Sequence, residues 1–221
     1  MTYRPRIRIR EDGPYDVEGT LPVVRTGRVR TAQREPVGWE PDRKLPAGSG
    51  RSLCRCGRSS TKPFCDGSCE DGFDGTETAD RGSIKDRRHT YVGDGVVLMD
   101  DRTICSKAGF CTNRITDVWQ LIGETADPRA RDRLITMVRA CPSGALAYAH
   151  EESQEQIEPA LPVSVAVVRD GPLWVRGGVR ITGSDGRDYE VRNRATLCRC
   201  GASSNKPFCD GTHKKIGFRD G

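Results

Sequence analysis

The chain has 221 residues, of which 35% are hydrophobic and 6% aromatic, and its formal net charge is +5. A single large core would be thin at this composition, so we expect small units that a bound metal helps to stabilise. No run of about 18 apolar residues is present, which argues against a membrane-spanning helix. The N-terminal residues have no apolar stretch of the secretory type, so the sequence predicts a cytoplasmic protein.

The first predicted elements are hairpins. Residues 6–10 alternate Arg with Ile and predict a strand, and Asp-Gly-Pro at 12–14 predicts a turn into a second strand. The same order returns when the apolar run 163–168 is followed by Asp-Gly-Pro at 170–172. Only the first copy continues into residues 31–50, whose Pro, Gly and charged residues predict a surface loop.

A repeated cysteine motif follows each hairpin. Leu-Cys-Arg-Cys-Gly occurs at 53–57 and 197–201, and Lys-Pro-Phe-Cys-Asp-Gly occurs at 62–67 and 206–211. The candidate ligands of the first outer site are Cys54, Cys56, Cys65 and Cys69, and those of the second outer site are Cys198, Cys200, Cys209 and His213. Ten cysteines in a protein that is not exported are expected to be reduced thiols, and closely spaced reduced thiols usually bind metal. Their spacing suits Zn²⁺ or an iron–sulfur cluster and does not decide between them.

The segment between the two copies has a different pattern. Residues 90–100 alternate around Gly-Asp-Gly and predict another hairpin. A first helix is predicted from the spacing of Ile115, Val118, Trp119 and Ile122. A second helix is predicted to begin at Asp127, which precedes a proline, and to end near Cys141, because Pro142 cannot continue it.

Three cysteines of this segment define a middle site. Cys105 and Cys111 form C-x5-C, Cys141-Pro142 supplies a distant position, and Ala108 stands where a bacterial ferredoxin has its central cysteine. The segment resembles the divergent single-cluster ferredoxin-like domains. Three thiolates match a [3Fe–4S] cluster; a [4Fe–4S] cluster with one open iron and three buried structural cysteines are the alternatives.

Residues 198–213 satisfy every position of the pattern C-x-C-x2-[ST]-x3-P-x-C-D-G-[SAT]-H. They resemble the CDGSH iron–sulfur domain family, the mitoNEET-like proteins. The resemblance implies one [2Fe–2S] cluster, with Cys198 and Cys200 on one iron and Cys209 and His213 on the other. In the first copy Cys69 replaces the histidine, which predicts an all-cysteine [2Fe–2S] site of lower potential. A degenerate first site without a cluster is the alternative.

These patterns predict a mixed, β-rich fold in which two CDGSH units form an intramolecular pseudo-twofold pair around an inserted small α/β ferredoxin-like domain. The expected boundaries are 1–82, 83–155 and 156–221. We expect a monomer that transfers electrons through two [2Fe–2S] clusters and one [3Fe–4S] cluster to redox protein partners or cluster acceptors. Cluster storage, cluster transfer, redox sensing and a zinc-stabilised binding module are the alternatives. The sequence shows no catalytic constellation and no platform for nucleic-acid stacking.

Overall fold

The computed structural model describes residues 5–45 and 52–220. The first outer unit contributes β1 (Arg6–Ile9), β2 (Tyr15–Glu18), β3 (Val23–Thr26), β4 (Arg28–Arg30), β5 (Pro36–Trp39), β6 (Arg43–Lys44) and β7 (Ser52–Leu53). The central segment contributes α1 (Ile84–Arg87), β8 (His89–Gly93), β9 (Val96–Asp100), α2 (Val118–Leu121), α3 (Pro128–Arg139), β10 (Leu146–His150) and β11 (Gln156–Ile157). The second outer unit contributes β12 (Ser164–Val168), β13 (Leu173–Arg176), β14 (Arg180–Thr182), β15 (Arg194–Leu197) and α4 (Thr212–Lys215).

The two hairpins predicted around Asp-Gly-Pro are confirmed. β1 pairs antiparallel with β2, and β12 pairs antiparallel with β13. Asp12 and Asp170 have φ angles of 43° and 50°, in the left-handed region that aspartate tolerates better than most residues. Each hairpin directs alternate apolar side chains, such as Ile7 and Val165, into one common core.

The two outer units exchange strands. β14 of the second unit pairs in parallel with β1, and β3 of the first unit pairs in parallel with β12. The resulting sheets have the orders β14-β1-β2-β7 and β15-β13-β12-β3-β6. Because each sheet is completed by a strand of the other unit, the two units form the predicted pseudo-twofold pair.

The surface loop predicted for residues 31–50 is wrong for the part that the structure describes, and residues 46–50 lie outside it. β4 and β5 form a hairpin, and β6 joins the edge of the second sheet through β3. The Trp39 ring packs 4.5 Å from Trp174 and 5.0 Å from Phe110 between ring centroids. Its Nε1 donates to the carbonyl of Ala140 at 3.0 Å. One indole therefore ties this segment to both neighbouring units, which a composition rich in Pro, Gly and charge does not reveal.

The central segment folds as a four-stranded antiparallel sheet of order β11-β10-β9-β8. The predicted hairpin is confirmed, since β8 and β9 join through Asp94 and Gly95. α2 and α3 cover this sheet and bury Leu134 and Val138 against it. The sheet continues to Ile157, two residues beyond the expected boundary at 155.

The sequence predicted the first residue of one helix correctly and that of the other incorrectly. α3 has Asp127 as its N-cap and ends at Arg139, as expected. α2 begins only at Val118, because Asp117 caps it by accepting from the backbone N–H groups of Trp119 and Gln120. Ile115 therefore lies outside the helix and is 79% exposed. Among the described residues, no helix has the length and apolar character needed to cross a membrane.

Candidate metal centres

The ligands proposed for the second outer site lie in two pairs. The sulfurs of Cys198 and Cys200 are 3.7 Å apart, and Cys209 Sγ is 3.3 Å from His213 Nδ1. Ligands on one tetrahedral metal with bonds of about 2.3 Å are separated by roughly 3.7 Å. Each pair is therefore spaced to bind one metal atom.

Local backbone pairing creates this arrangement. β15 ends at Leu197, which forms a β-bridge to Phe208, so the Cys-Arg-Cys segment and the Cys-Asp-Gly segment run side by side. Cys198 N donates to the Pro207 carbonyl at 2.8 Å, and Cys209 N donates to the Thr196 carbonyl at 2.9 Å. His213 follows on α4, the short helix that Gly211 initiates.

The first outer site repeats the scaffold. Leu53 forms the bridge to Phe64, and Cys54 N donates to the Pro63 carbonyl at 2.8 Å. The sulfurs of Cys54 and Cys56 are 3.9 Å apart, and those of Cys65 and Cys69 are 3.8 Å apart. Cys69 thus occupies the position that His213 has in the second site.

An aspartate ties together the two halves of each motif. The carboxylate of Asp210 accepts from the backbone of Ser204 at 3.0 Å and of Thr212 at 2.9 Å. Asp66 accepts in the same way from Ser68 and Ser60. The hydrogen bonds from Ser68 and then Ser60 hold the pKa of Asp66 well below its usual range. Burial opposes ionisation of Asp210, but its hydrogen bonds outweigh burial and also lower its pKa.

Burial and hydrogen bonding shift the pKa values of the candidate donor groups in different directions. The hydrogen bond from the Cys200 thiol lowers the pKa of Cys198. Burial raises the pKa of Cys209 to about 12 and that of Cys69 to about 11, so ionising these thiols needs a compensating positive charge such as a metal. Burial lowers the pKa of His213 to about 4, which keeps its imidazole neutral and able to coordinate. His213 is 3% exposed, and its Nε2 is buried without a hydrogen-bond partner among the described residues.

The three cysteines of the middle site line one cavity of about 240 Å³, together with Ala108. Arg102 Nη1 lies 3.7 Å from Cys105 Sγ, and burial raises the pKa of Cys111. In the described part of the chain, no three His, Cys, Asp or Glu side chains converge on a point suited to one ion. Sulfurs placed around a cavity suit a cluster with several metal atoms better than a single ion.

The two outer sites touch across the pseudo-twofold axis. A Cβ atom added at Gly57 would lie 2.8 Å from the Cys200 carbonyl oxygen, and one added at Gly201 would meet the Cys56 carbonyl. The buried Tyr15 hydroxyl, from β2 of the first unit, donates to the Cys198 carbonyl at 2.7 Å. The second cysteine loop is thus held directly by residues of the first unit.

The middle site adjoins the second outer site. A Cβ atom added at Gly211 would lie 2.8 Å from Cβ of Lys107, and Lys214 Nζ donates to the Lys107 carbonyl. Asn205 Nδ2 donates to the Thr103 carbonyl at 2.8 Å. The three cysteine loops are therefore contiguous, with the second outer site between the other two.

Two family models match the chain. The family described as iron-binding zinc finger CDGSH type matches residues 12–68 and 170–214, and the family described as divergent 4Fe-4S mono-cluster matches residues 91–151. Comparison with curated proteins and with solved structures found no significant match. The paired donors and these matches define an iron–sulfur protein. Its two outer units are CDGSH domains, and they flank a divergent mono-cluster domain.

Sequence reasoning missed the charged residues that support the cysteine loops. The buried guanidinium of Arg199 pairs with Asp220 at 2.6 Å, and that of Arg55 donates to the carbonyls of Arg10 and Gly75. The signal was present, since an arginine stands between two cysteines in both copies. His89 and His150 are exposed and belong to none of the three sites.

Proposed function

We propose that this chain is an electron-transfer protein with two [2Fe–2S] clusters and one [3Fe–4S] cluster, which together supply one-electron redox chemistry. Three sets of residues would hold the clusters: Cys54, Cys56, Cys65 and Cys69; Cys198, Cys200, Cys209 and His213; and Cys105, Cys111 and Cys141. The observation that carries this proposal is the direct contact between successive cysteine loops. Gly57 lies against Cys200, and Lys107 lies against Gly211. Sites packed in series within one chain are what electron relay requires.

The paired donors support binuclear clusters over a structural zinc. A closed zinc site needs four ligands around one ion. Each outer site instead offers two donor pairs, for example Cys198 with Cys200 and Cys209 with His213, and no three such side chains of the described residues are grouped to hold one ion. Two pairs provide two ligands to each iron of a [2Fe–2S] cluster.

Ligand burial at the second outer site supports retention of its cluster and therefore electron transfer over cluster delivery from that site. Cys198, Cys209 and His213 are between 1% and 3% exposed. A cluster acceptor would have to reach these ligands with its own thiols. Electron transfer does not require a partner to contact these ligands directly.

The nuclearity of the middle cluster can be tested with protein purified under anaerobic conditions. An oxidised [3Fe–4S] cluster is paramagnetic, whereas oxidised [2Fe–2S] clusters are silent in EPR, so we expect a signal from the middle site alone. Ala108→Cys should supply a fourth thiolate, convert the site to a four-iron cluster and abolish the oxidised signal. A silent oxidised sample with full iron content would contradict the three-iron assignment. Zinc without acid-labile sulfide would overturn the whole proposal.

A further inference from the structure

A group of basic residues lies beside His213 of the second outer site. Five basic residues, called here the basic rim, line a cavity of about 460 Å³ together with His213: Arg28, Arg30, Arg169, Lys214 and Arg219. All but the half-buried Arg28 are exposed. The cavity thus leads from solvent to a buried candidate ligand.

Most of this positive charge lacks a carboxylate partner. Arg169 pairs with Glu40 at 3.2 Å, and Arg219 lies 3.6 Å from Asp170. In the described chain, no carboxylate lies within ion-pair distance of the remaining three cations, Arg28, Arg30 and Lys214. Burial lowers the pKa of Arg28 and the positive charge of Arg30 lowers it further, against the opposing effect of the Asp170 carboxylate. Negatively charged groups of a bound partner would relieve the repulsion between these neighbouring positive charges.

The rim is confined to one of the two outer sites. Arg28 and Arg30 belong to β4, whose hairpin with β5 has no counterpart among the strands of the second unit, and both residues line the cavity beside the second site. Lys214 and Lys215 follow His213, whereas Glu70 and Asp71 follow Cys69. The two outer sites therefore present opposite charge next to their fourth candidate ligand.

We propose that the basic rim is the docking surface for an acidic redox protein, whose carboxylates pair with Arg28, Arg30 and Lys214 and which thereby lies over His213. The inference rests on the electron-transfer function proposed above. The cations that line the cavity come from three separate segments, namely β4, Arg169 and residues 214–219, and this suits several carboxylates on a protein surface. Complementary charge of this kind raises the association rate and fixes the orientation of a partner.

The test is a binding titration of the anaerobic, cluster-loaded full chain with an acidic flavodoxin, at low and at high ionic strength. The double variant Arg28→Gln/Arg30→Gln should weaken binding about tenfold at low salt and flatten the salt dependence. Arg30→Gln alone should weaken binding by a smaller factor, and it preserves the contact of Arg28 with the Ala108 carbonyl in the middle loop. Cluster absorbance and thermal unfolding verify that the variants are folded.

Arg129→Gln/Arg133→Gln is the matched control, because it removes the same charge from exposed positions on α3. It should leave the dissociation constant unchanged. Equal weakening by both double variants, salt-independent binding, or binding of inorganic pyrophosphate without binding of flavodoxin would each overturn the docking proposal.

The two proposals fail in different ways. If dithionite does not reduce the loaded protein reversibly, the electron-transfer function is wrong, whatever the binding data show. If dithionite reduces the clusters and flavodoxin binds equally well to the native protein and to Arg28→Gln/Arg30→Gln, only the docking surface is wrong.

Discussion

The two outer sites share a backbone scaffold but balance charge differently. In the second site the buried guanidinium of Arg199 is 2.6 Å from the carboxylate of Asp220, and both side chains are almost fully buried. In the first site Arg55 donates to backbone carbonyls and lies 5.6 Å from the ring centroids of Tyr15 and Phe73. No carboxylate of the described residues pairs with Arg55.

Arg55 has no carboxylate partner because the two copies of the repeat differ at one position. Gly-Phe-Asp-Gly at 72–75 corresponds to Gly-Phe-Arg-Asp at 217–220, so Gly75 stands where the second copy has Asp220. The backbone N–H of Gly75 donates to the carboxylate of Asp12 in the first hairpin turn. The backbone N–H of Asp220 donates in the same way to Asp170 in the second. A Cβ atom at Gly75 would lie 2.5 Å from Arg55 Nη1, so the Arg55 guanidinium occupies the space beside this glycine.

The two outer sites differ by two changes of charge that have opposite effects on the cluster potential. With a cluster bound, the first site would gain a negative charge, because Cys69 would supply a thiolate where His213 would supply a neutral imidazole. It loses another, because it has no counterpart of Asp220. We therefore expect the first cluster to have the lower potential, but by less than the change of ligand alone would produce.

The largest expected effect is that of Asp220→Asn. The change leaves the Arg199 guanidinium buried without a counter-charge, which typically costs about 3–5 kcal/mol of unfolding free energy. Chemical denaturation of the loaded protein measures this loss. Glu152→Gln, at an exposed position, is the control and should cost nothing measurable. A loss below about 1 kcal/mol for Asp220→Asn would contradict the importance of this pair.

The same carboxylate predicts an acid dependence. Burial of Asp220 opposes its ionisation, but the charge of Arg199, the hydrogen bonds from Arg199 and the Asp170 backbone, and the charge of Arg25 together outweigh burial, so the pKa of Asp220 in the folded protein is lowered. Its stabilising contribution is therefore full above the unfolded pKa of about 3.9 and is lost as the pH falls through the lower folded value. Asp220→Asn should remove this part of the acid dependence, which denaturation curves recorded at several pH values would show.

Exchange of the fourth ligand should have the next largest effect. Cys69→His removes the thiolate charge while Arg55 stays unpaired, so the first potential should rise by roughly 100 mV or more and pass that of the native second cluster. His213→Cys should lower the second potential below that of the native first cluster. Redox titrations monitored by EPR measure both. An unchanged first potential in Cys69→His would mean that Cys69 does not bind the cluster.

Local patterns predicted the local elements well. The capping Asp127 with its proline placed α3, and the Asp-Gly-Pro turns placed both outer hairpins. Asp117, followed three residues later by Gln120, is also a helix-start signal, and it would have corrected the first residue of α2. Apolar spacing alone wrongly predicted that the exposed Ile115 belongs to that helix.

Long-range pairing could not be predicted in the same way. The exchange of β14 and β3 joins segments more than a hundred residues apart, and short strands do not encode their partners. The candidate ligands came from spacing and resemblance, and the structure places them in pairs. Asp220, Tyr15 and the basic rim act across the fold, so their roles became visible only in three dimensions.

The smallest expected effect tests the contact between the two outer units. Tyr15 and its repeat counterpart Leu173 are both fully buried, but only Tyr15 has a hydroxyl, which donates to the Cys198 carbonyl at 2.7 Å. Tyr15→Phe keeps the ring and removes this hydrogen bond, so it should cost about 1 kcal/mol of unfolding free energy. Tyr148→Phe, in the central sheet, is the matched control, because no hydrogen bond of its hydroxyl is found in the described structure.

The location of the change is more informative than its size. Because the accepting carbonyl belongs to the second cysteine loop, hydrogen exchange should accelerate around Cys198, although the substitution lies in the first unit. Acceleration confined to β1 and β2 would show that the two outer sites are mechanically independent. A shared response would show that the pseudo-twofold pair holds both cysteine loops as one structural unit.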